Sequence, residues 1–291
     1  SERPKLRYYS MNPSEAEMTL SFFPEGGTLV EGLPSRVAFE AAMTDGEYLE
    51  GELTVEGKTV PVTDRGRGVF TVTPKAGERI KAVFRTKDGK EISKELPKAE
   101  AQGATLCVEE RSGKWTIGIQ ASEGLSTDNM AMTLMHEGRM IHFAPLDGKA
   151  KAEISLDSDT LEAGVHQATL YDADGRVWAD RLFFVKKKDI ERPTLTFNGA
   201  KEQYKPYEQI SLGVQGTQGD TRISVAVRDA VRGSRNDDTG NILTEMLLAS
   251  EIKGFVPQPE WYFEADDERH NRALDLLMMV QGWRKYDWKV M

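Results

Sequence analysis

Lys114-Trp115-Thr116-Ile117-Gly118-Ile119-Gln120-Ala121 places an apolar side chain at every second position, Trp115, Ile117, Ile119 and Ala121, with a small or polar residue between each. Successive side chains of an extended strand point to opposite faces, so the stretch reads as a strand with one face in a core and the other toward water. A surface helix would repeat its apolar residues every three or four positions instead.

The same alternation recurs outward in both directions. Toward the N-terminus it runs through Leu20 and Phe22, then Val37, Phe39 and Ala41. Toward the C-terminus it runs through Ile154 with Leu156, Arg181 with Phe183 and Val185, then Ile210, Leu212 and Val214, and Ile223, Val225 and Val227. Between these runs lie Asp45-Gly46, Asp88-Gly89, Asp147-Gly148 and Asp174-Gly175. Asp-Gly supplies the two positive-φ positions of a type I′ turn, whose twist matches flanking antiparallel strands. Short strands joined by such turns, without helices between them, predict immunoglobulin-like antiparallel β-sandwiches in tandem rather than a parallel α/β sheet.

A chain of 291 residues exceeds what one core holds. The strand runs end in charged, non-periodic links at 94–103 and 186–193. The expected organisation is therefore an extended N-terminal linker over 1–16, a sandwich over 17–98, a second over 99–190, and a third over 191–291 that includes a helical C-terminal segment. Ile80 to Leu96 and His166 to Val185 share a strand, Asp-Gly turn, strand order that hints at duplicated modules. After Arg232 the pattern changes. Ile242, Met246, Leu247 and Ala249 fall at helical spacing, and Asp266 is the expected cap of a second helix whose stripe is Ala273, Leu274, Leu277, Met278 and Trp283. This tail is expected to complete the third unit or to dock on it.

Composition narrows the function classes. The net charge of −9 argues against a nucleic-acid partner, which needs clustered Lys and Arg. Lys186, Lys187 and Lys188 form a short run that reads as a solvated link. Cys107 is the single cysteine, so no intramolecular disulfide forms. No stretch approaches the ~20 apolar residues that span a bilayer.

Several motifs invite chemistry and are outweighed by plainer readings. His136-Glu137-Gly138-Arg139-Met140-Ile141-His142 places its second histidine two positions too late for the zinc motif H-E-x-x-H, and Glu137, Gly138 and Arg139 read as a hairpin tip. Asn236-Asp237-Asp238-Thr239-Gly240-Asn241 is rich in oxygen ligands, but Met246 stands where a calcium loop needs a bidentate Glu, so a helix-capping loop is preferred. Cys107 reads as a small buried strand residue, and no Gly-x-Ser-x-Gly elbow is present. Trp115 and Trp178 fit sandwich packing better than a sugar platform. Trp261, Tyr262 and Phe263, with Trp283, Tyr286 and Trp288, either pack the helices or meet a partner.

Two stretches also carry a family resemblance. Phe22-Phe23-Pro24-Glu25-Gly26-Gly27-Thr28-Leu29-Val30-Glu31-Gly32-Leu33-Pro34-Ser35-Arg36-Val37-Ala38-Phe39 resembles the opening of a macroglobulin-like domain in large envelope proteins of the Bacteroidota. Leu247 to Gly254, Pro259 to Phe263, and Ala273 to Trp288 are similar to a segment of the same proteins, and Tyr204-Lys205-Pro206-Tyr207-Glu208 resembles the residues that open such domains. The resemblance implies a piece of a larger exported protein in the periplasm or at the outer membrane. Such proteins often carry a domain like the plug of TonB-dependent receptors. It implies no reaction, no cofactor, and no catalytic, cofactor-binding or metal residue. The expectation is a non-catalytic interaction and spacer module whose partner is an envelope protein or a downstream domain of the same polypeptide. The alternative is a carbohydrate-binding or adhesion accessory module with a glycan partner.

Overall fold

A computed structural model describes residues 16–187, 195–201, 203–216 and 240–284. Strands β1 (Met18–Pro24), β2 (Ser35–Met43), β3 (Gly51–Val55), β4 (Lys58–Pro61), β5 (Arg67–Val72), β6 (Lys81–Thr86) and β7 (Glu91–Glu95) form two antiparallel sheets in the orders β1-β2-β5 and β4-β3-β6-β7. Their alternating residues Leu20, Phe39, Leu53 and Phe84 are fully buried between the sheets. A second sandwich follows, from β8 (Ala104–Arg111), β9 (Lys114–Ala121), β10 (Met130–His136), β11 (Arg139–Pro145), β12 (Lys151–Asp157), β13 (Gly164–Asp172) and β14 (Val177–Val185). Its sheets run β12-β9-β8 and β11-β10-β13-β14. Ile117 and Ile119 of β9 enter its core with Leu106, Met132 and Leu134. The fold class is mainly β, in tandem antiparallel sandwiches with a short helical C-terminal segment.

The turns fall where the sequence places them, but not in the expected geometry. Only Asp147-Gly148 has both residues at positive φ (+51° and +76°). At Asp45-Gly46, Asp88-Gly89 and Asp174-Gly175 the glycine alone is left-handed. At Thr86–Gly89 the Gly89 amide donates to the Thr86 carbonyl at 3.0 Å, and the Thr86 amide donates to the Lys90 carbonyl at 2.9 Å. This is a type I turn closed by a glycine bulge, the other economical way to join right-twisted strands. Among the described residues both φ are also positive in the two-residue turns Glu56-Gly57, Arg65-Gly66, Ser112-Gly113 and Glu137-Gly138.

The charged link at 94–103 is packed on the first sandwich. Leu96 and Ala99 are buried in the first core. The Glu31 amide donates to the Glu100 carbonyl at 2.9 Å and the Glu100 amide to the Leu29 carbonyl at 2.8 Å, so the connection is laced to the first sandwich.

Within 191–291, the described residues give a two-stranded ladder of β15 (Leu195–Asn198) and β16 (Gly213–Gly216), and then the tail. Ile210 and Leu212 lie exposed just ahead of β16. The strand expected at Ile223, Val225 and Val227, the residues Asn236 to Thr239, and Tyr286 and Trp288 lie outside the described residues. The tail contains α1 (Ile242–Leu247), turns at Ala249–Glu251 and Pro259–Phe263, and α2 (Glu268–Val280). Asn241 caps α1, accepting from the Leu243 amide at 2.9 Å. Asp267, one residue beyond the expected Asp266, caps α2 by accepting from the His270 amide at 2.9 Å. Asp266 instead accepts from the Asn271 side chain.

The helical tail, expected to complete or dock on the third unit, packs on the first two. Leu274, Leu277 and Met278 of α2 meet Val165, Leu182 and Phe184 of the second sandwich. Leu276, Met279 and Val280 meet Phe23, Ala38 and Val69 of the first. A helix that buries residues on so much of its circumference is a core element, and each such side chain contributes roughly 1.5–3 kcal/mol. Of the sequence stripe, Ala273, Leu274, Leu277 and Met278 turn to the second sandwich, while Trp283, just beyond α2, packs on Phe23 of the first.

Candidate functional site: the joint between the sandwiches and an exposed edge strand

Where the two sandwiches meet α2, four charged side chains interlock. Glu25 follows β1, Arg36 lies on β2, Arg181 on β14 and Asp275 on α2. Arg181 Nε donates to Glu25 Oε1 at 2.9 Å, and its Nη2 donates to Asp275. Arg36 Nη2 donates to Asp275 Oδ2 at 2.9 Å, while its Nη1 stands 3.5 Å from Glu25 Oε2. Glu25 Oε1 also accepts the Val108 amide at 3.2 Å. The Glu25 and Arg181 side chains are each 2% exposed. Two acids and two guanidiniums cancel in net charge, the condition under which ions are tolerated away from water. Burial disfavours the charge on Asp275, but Arg181 and Arg36 outweigh it and hold the carboxyl below its ordinary range.

A second set of contacts fixes the same tail. Arg65 Nη1 donates to the Tyr262 hydroxyl at 2.8 Å and to the Pro257 carbonyl at 2.9 Å, with its guanidinium against the Trp261 and Tyr262 rings. Trp283 Nε1 donates to the Pro24 carbonyl at 2.9 Å. The aromatic tail residues therefore pack the helices onto the sandwiches, and Tyr262 is fully buried. Beside the joint lies a cavity of about 1000 Å³ whose walls include Arg36, Trp115, Lys186, Lys187, Asp266 and Arg272. Lys186 Nζ donates to the Ala265 carbonyl and Lys187 Nζ to the Ser158 carbonyl, so two lysines of the supposed solvated run are held to the protein.

Cys107 is half-buried beside this cluster. Burial and the nearby Glu25 carboxylate push its thiol up to about 12, against the pull of Arg36, so it remains protonated and a poor nucleophile. Among the described residues, His136 and His166 hydrogen-bond to backbone carbonyls and His270 to its own cap Asp267, which pairs none of them with a hydroxyl or thiol.

The other feature is β11, an edge of its sheet. It carries Met140, Ile141 and Phe143 at 58%, 40% and 51% exposure, a run of large apolar side chains in water. The ladder with β10 slips between Leu134 and Met135, so Leu134 faces His142 while Met135 faces Met140, leaving Ile141 as the extra residue of a bulge. Among the described residues no further strand covers this edge. An uncovered strand edge offers backbone donors and acceptors to an incoming strand.

The other residues singled out from sequence are placed as follows. His136 and His142 do not converge: His136 is buried on β10, its Nδ1 at 2.9 Å from the Val165 carbonyl, and His142 is half-buried on β11. Trp115 packs on Phe183 at 4.6 Å between centroids. Trp178 donates Nε1 to Asp172 at 2.9 Å and carries Arg176 over its ring, so the two indoles do not form one flat platform. One sequence signal points to the four-charge joint: Arg181 alternates with Phe183 and Val185 on an inward face, and a charge there requires a buried partner.

No family model matches the chain, and no curated protein matches it. Among solved structures, it is similar to a tandem pair of titin immunoglobulin domains (13% identity over 59% of this chain and 96% of that one, TM-score 0.21). It is also similar to domains 4–9 of the surface layer protein SbsC (13%, 62% and 33%, TM-score 0.33). A third is the Bacteroides ovatus mixed-linkage glucan utilization protein SGBP-B in complex with a heptasaccharide (13%, 58% and 60%, TM-score 0.20). Likenesses this distant carry no argument about what the chain does.

Proposed function

We propose that the chain is a non-catalytic interaction and spacer module of the cell envelope, in which two sandwiches joined by α2 present the β11 edge to a protein partner. The observation that carries this reading is the exposure of Met140, Ile141 and Phe143 on an uncovered edge strand. Water-exposed apolar side chains of this size, grouped along one uncovered edge strand, mark an interaction surface. Main-chain pairing would supply affinity, and the side chains either side of the bulge would supply register. The buried four-charge joint supports the spacer half, because a partner held at the far sandwich is held at a fixed angle.

The envelope setting, and an association with TonB-dependent uptake, rest on the resemblance of the Phe22–Phe39 and Leu247–Trp288 segments. A glycan ligand would rest on Trp115, the one indole in the cavity wall. The test is affinity purification from detergent-solubilised envelope with the native chain and with a Met140→Lys, Phe143→Lys variant of unchanged thermal midpoint. Recovery of one envelope protein by the native chain alone is expected. Equal recovery by both chains would refute the assignment to β11, and glycan-array binding abolished by Trp115→Ala would favour the carbohydrate reading.

A further inference from the structure

The fold brings Glu162 to His136 and its sequence neighbour Glu137, a grouping that sequence spacing alone does not give. His136 is the last residue of β10, Glu137 is the first residue of the following turn, and Glu162 lies in the connection between β12 and β13. One ligand atom from each of the three lies within 4.8 Å of the others. The imidazole is 3% exposed. Its Nδ1 faces the Val165 carbonyl, which can only accept, so Nδ1 carries a hydrogen and Nε2 is the nitrogen left to ligate. That Nε2 stands 3.7 Å from Glu162 Oε2, beyond hydrogen-bond distance.

The ring is held in place from three sides. His166 stacks on it at 4.3 Å between centroids and 11° between planes. Gly164, at φ +123°, leaves room where a Cβ would come within 3.2 Å of His136 Cε1. The Val165 carbonyl fixes the tautomer. A histidine whose second nitrogen is tied to a backbone carbonyl is the arrangement in which imidazole ligates metals most readily. Two carboxylates add negative charge, and Arg139 Nη2 lies 3.2 Å from each Glu162 oxygen, holding the group near the site while competing for it.

We propose that His136 Nε2 with one carboxylate oxygen each from Glu137 and Glu162 binds a divalent transition-metal ion, with zinc as the reference ion. One imidazole and two carboxylates leave a fourth position for water, the usual coordination number of zinc. The ion ties the tip of the β10–β11 hairpin to the β12–β13 connection. The site differs from the H-E-x-x-H reading in that His142 takes no part. It does not depend on the proposed function.

The test is calorimetric titration of zinc chloride, at pH 7.5, into the tag-free, chelator-stripped chain. We expect saturable binding of one zinc per chain, weakened at least about tenfold by Glu137→Gln and by Glu162→Gln. Both substitutions are at exposed positions and should leave the fold intact. Arg139→Ala should tighten binding by freeing Glu162, a change that a purely structural role for these residues would not produce. His142→Ala should leave binding unchanged. Absence of saturable binding, binding undiminished in the double Glu137→Gln, Glu162→Gln variant, or binding lost with His142→Ala would each overturn the proposal.

Discussion

Glu25→Gln is the most informative single change at the joint. The substitution keeps the side-chain volume and one acceptor oxygen for Arg181 Nε and the Val108 amide, which sit 2.9 and 3.2 Å from Glu25 Oε1. It removes the negative charge. Two guanidiniums then face Asp275 alone, the local net charge moves from zero to +1, and Arg181, 2% exposed, has no water to compensate. Breaking a buried ion pair by removing one partner costs roughly 3–5 kcal/mol, and the retained hydrogen bonds place this case near ~3 kcal/mol. Glu95→Gln is the control, because the Arg79–Glu95 pair has side chains 81% and 54% exposed, where such pairs contribute about 0–1 kcal/mol. Urea unfolding at pH 7, followed by tryptophan fluorescence and by far-ultraviolet circular dichroism, should show one coincident transition in the native chain. Its midpoint should fall clearly in Glu25→Gln and scarcely move in Glu95→Gln. A Glu25→Gln loss below about 1 kcal/mol, or equal to the control, would show that the cluster is not a buried, mutually dependent set.

Two further predictions concern titration. Burial, with the neighbouring His136, pushes the His166 imidazole down to about 4. Its folded value thus lies below its unfolded value of about 6.5, so its contribution to stability is complete above pH ~6.5 and is lost as pH falls toward 4. Glu162 and Lys187 are the other charged groups acting on this ring. The decline in thermal midpoint between these pH values should be shallower in His166→Phe, and an unchanged slope would contradict the shift. The Cys107 thiol, pushed up to about 12, should react with iodoacetamide at pH 8 many times more slowly than free cysteine, and labelling at the free-thiol rate would contradict its burial beside Glu25.

Strand positions were legible in the sequence because a sandwich core imposes a period of two, which Ile117, Ile119 and Ala121 keep without interruption. Turn positions were legible and turn types were not. Glycine marks each turn, but which residue precedes it at positive φ is set by strand register, so Glu56, Arg65, Ser112 and Glu137 take the conformation expected of aspartate. The role of α2 was half legible. Its Leu274, Leu277 and Met278 stripe announced one packing face, while Leu276, Met279 and Val280 show the second only once the first sandwich lies against them. The joint was hidden because Arg181 and Asp275 are far in sequence from each other and from Glu25 and Arg36. Arg181 on an inward face and Asp275 within Ala273-Leu274-Asp275-Leu276-Leu277 are the residues whose burial demanded partners. The His136, Glu137 and Glu162 cluster was obscured in the same way, since Glu162 reaches the histidine across a sheet end rather than along one helix.

To act as a spacer, the two sandwiches and the tail must form one rigid arm, and the most direct measurement of this is a distance distribution across the joint. Spin labels at Thr59→Cys on β4 and Ser155→Cys on β12, both exposed, in a Cys107→Ala background, would be read by double electron–electron resonance. A single narrow distribution is predicted, broadening when Glu25→Gln is added. A broad distribution in the unaltered joint, or one indifferent to Glu25→Gln, would contradict the arm.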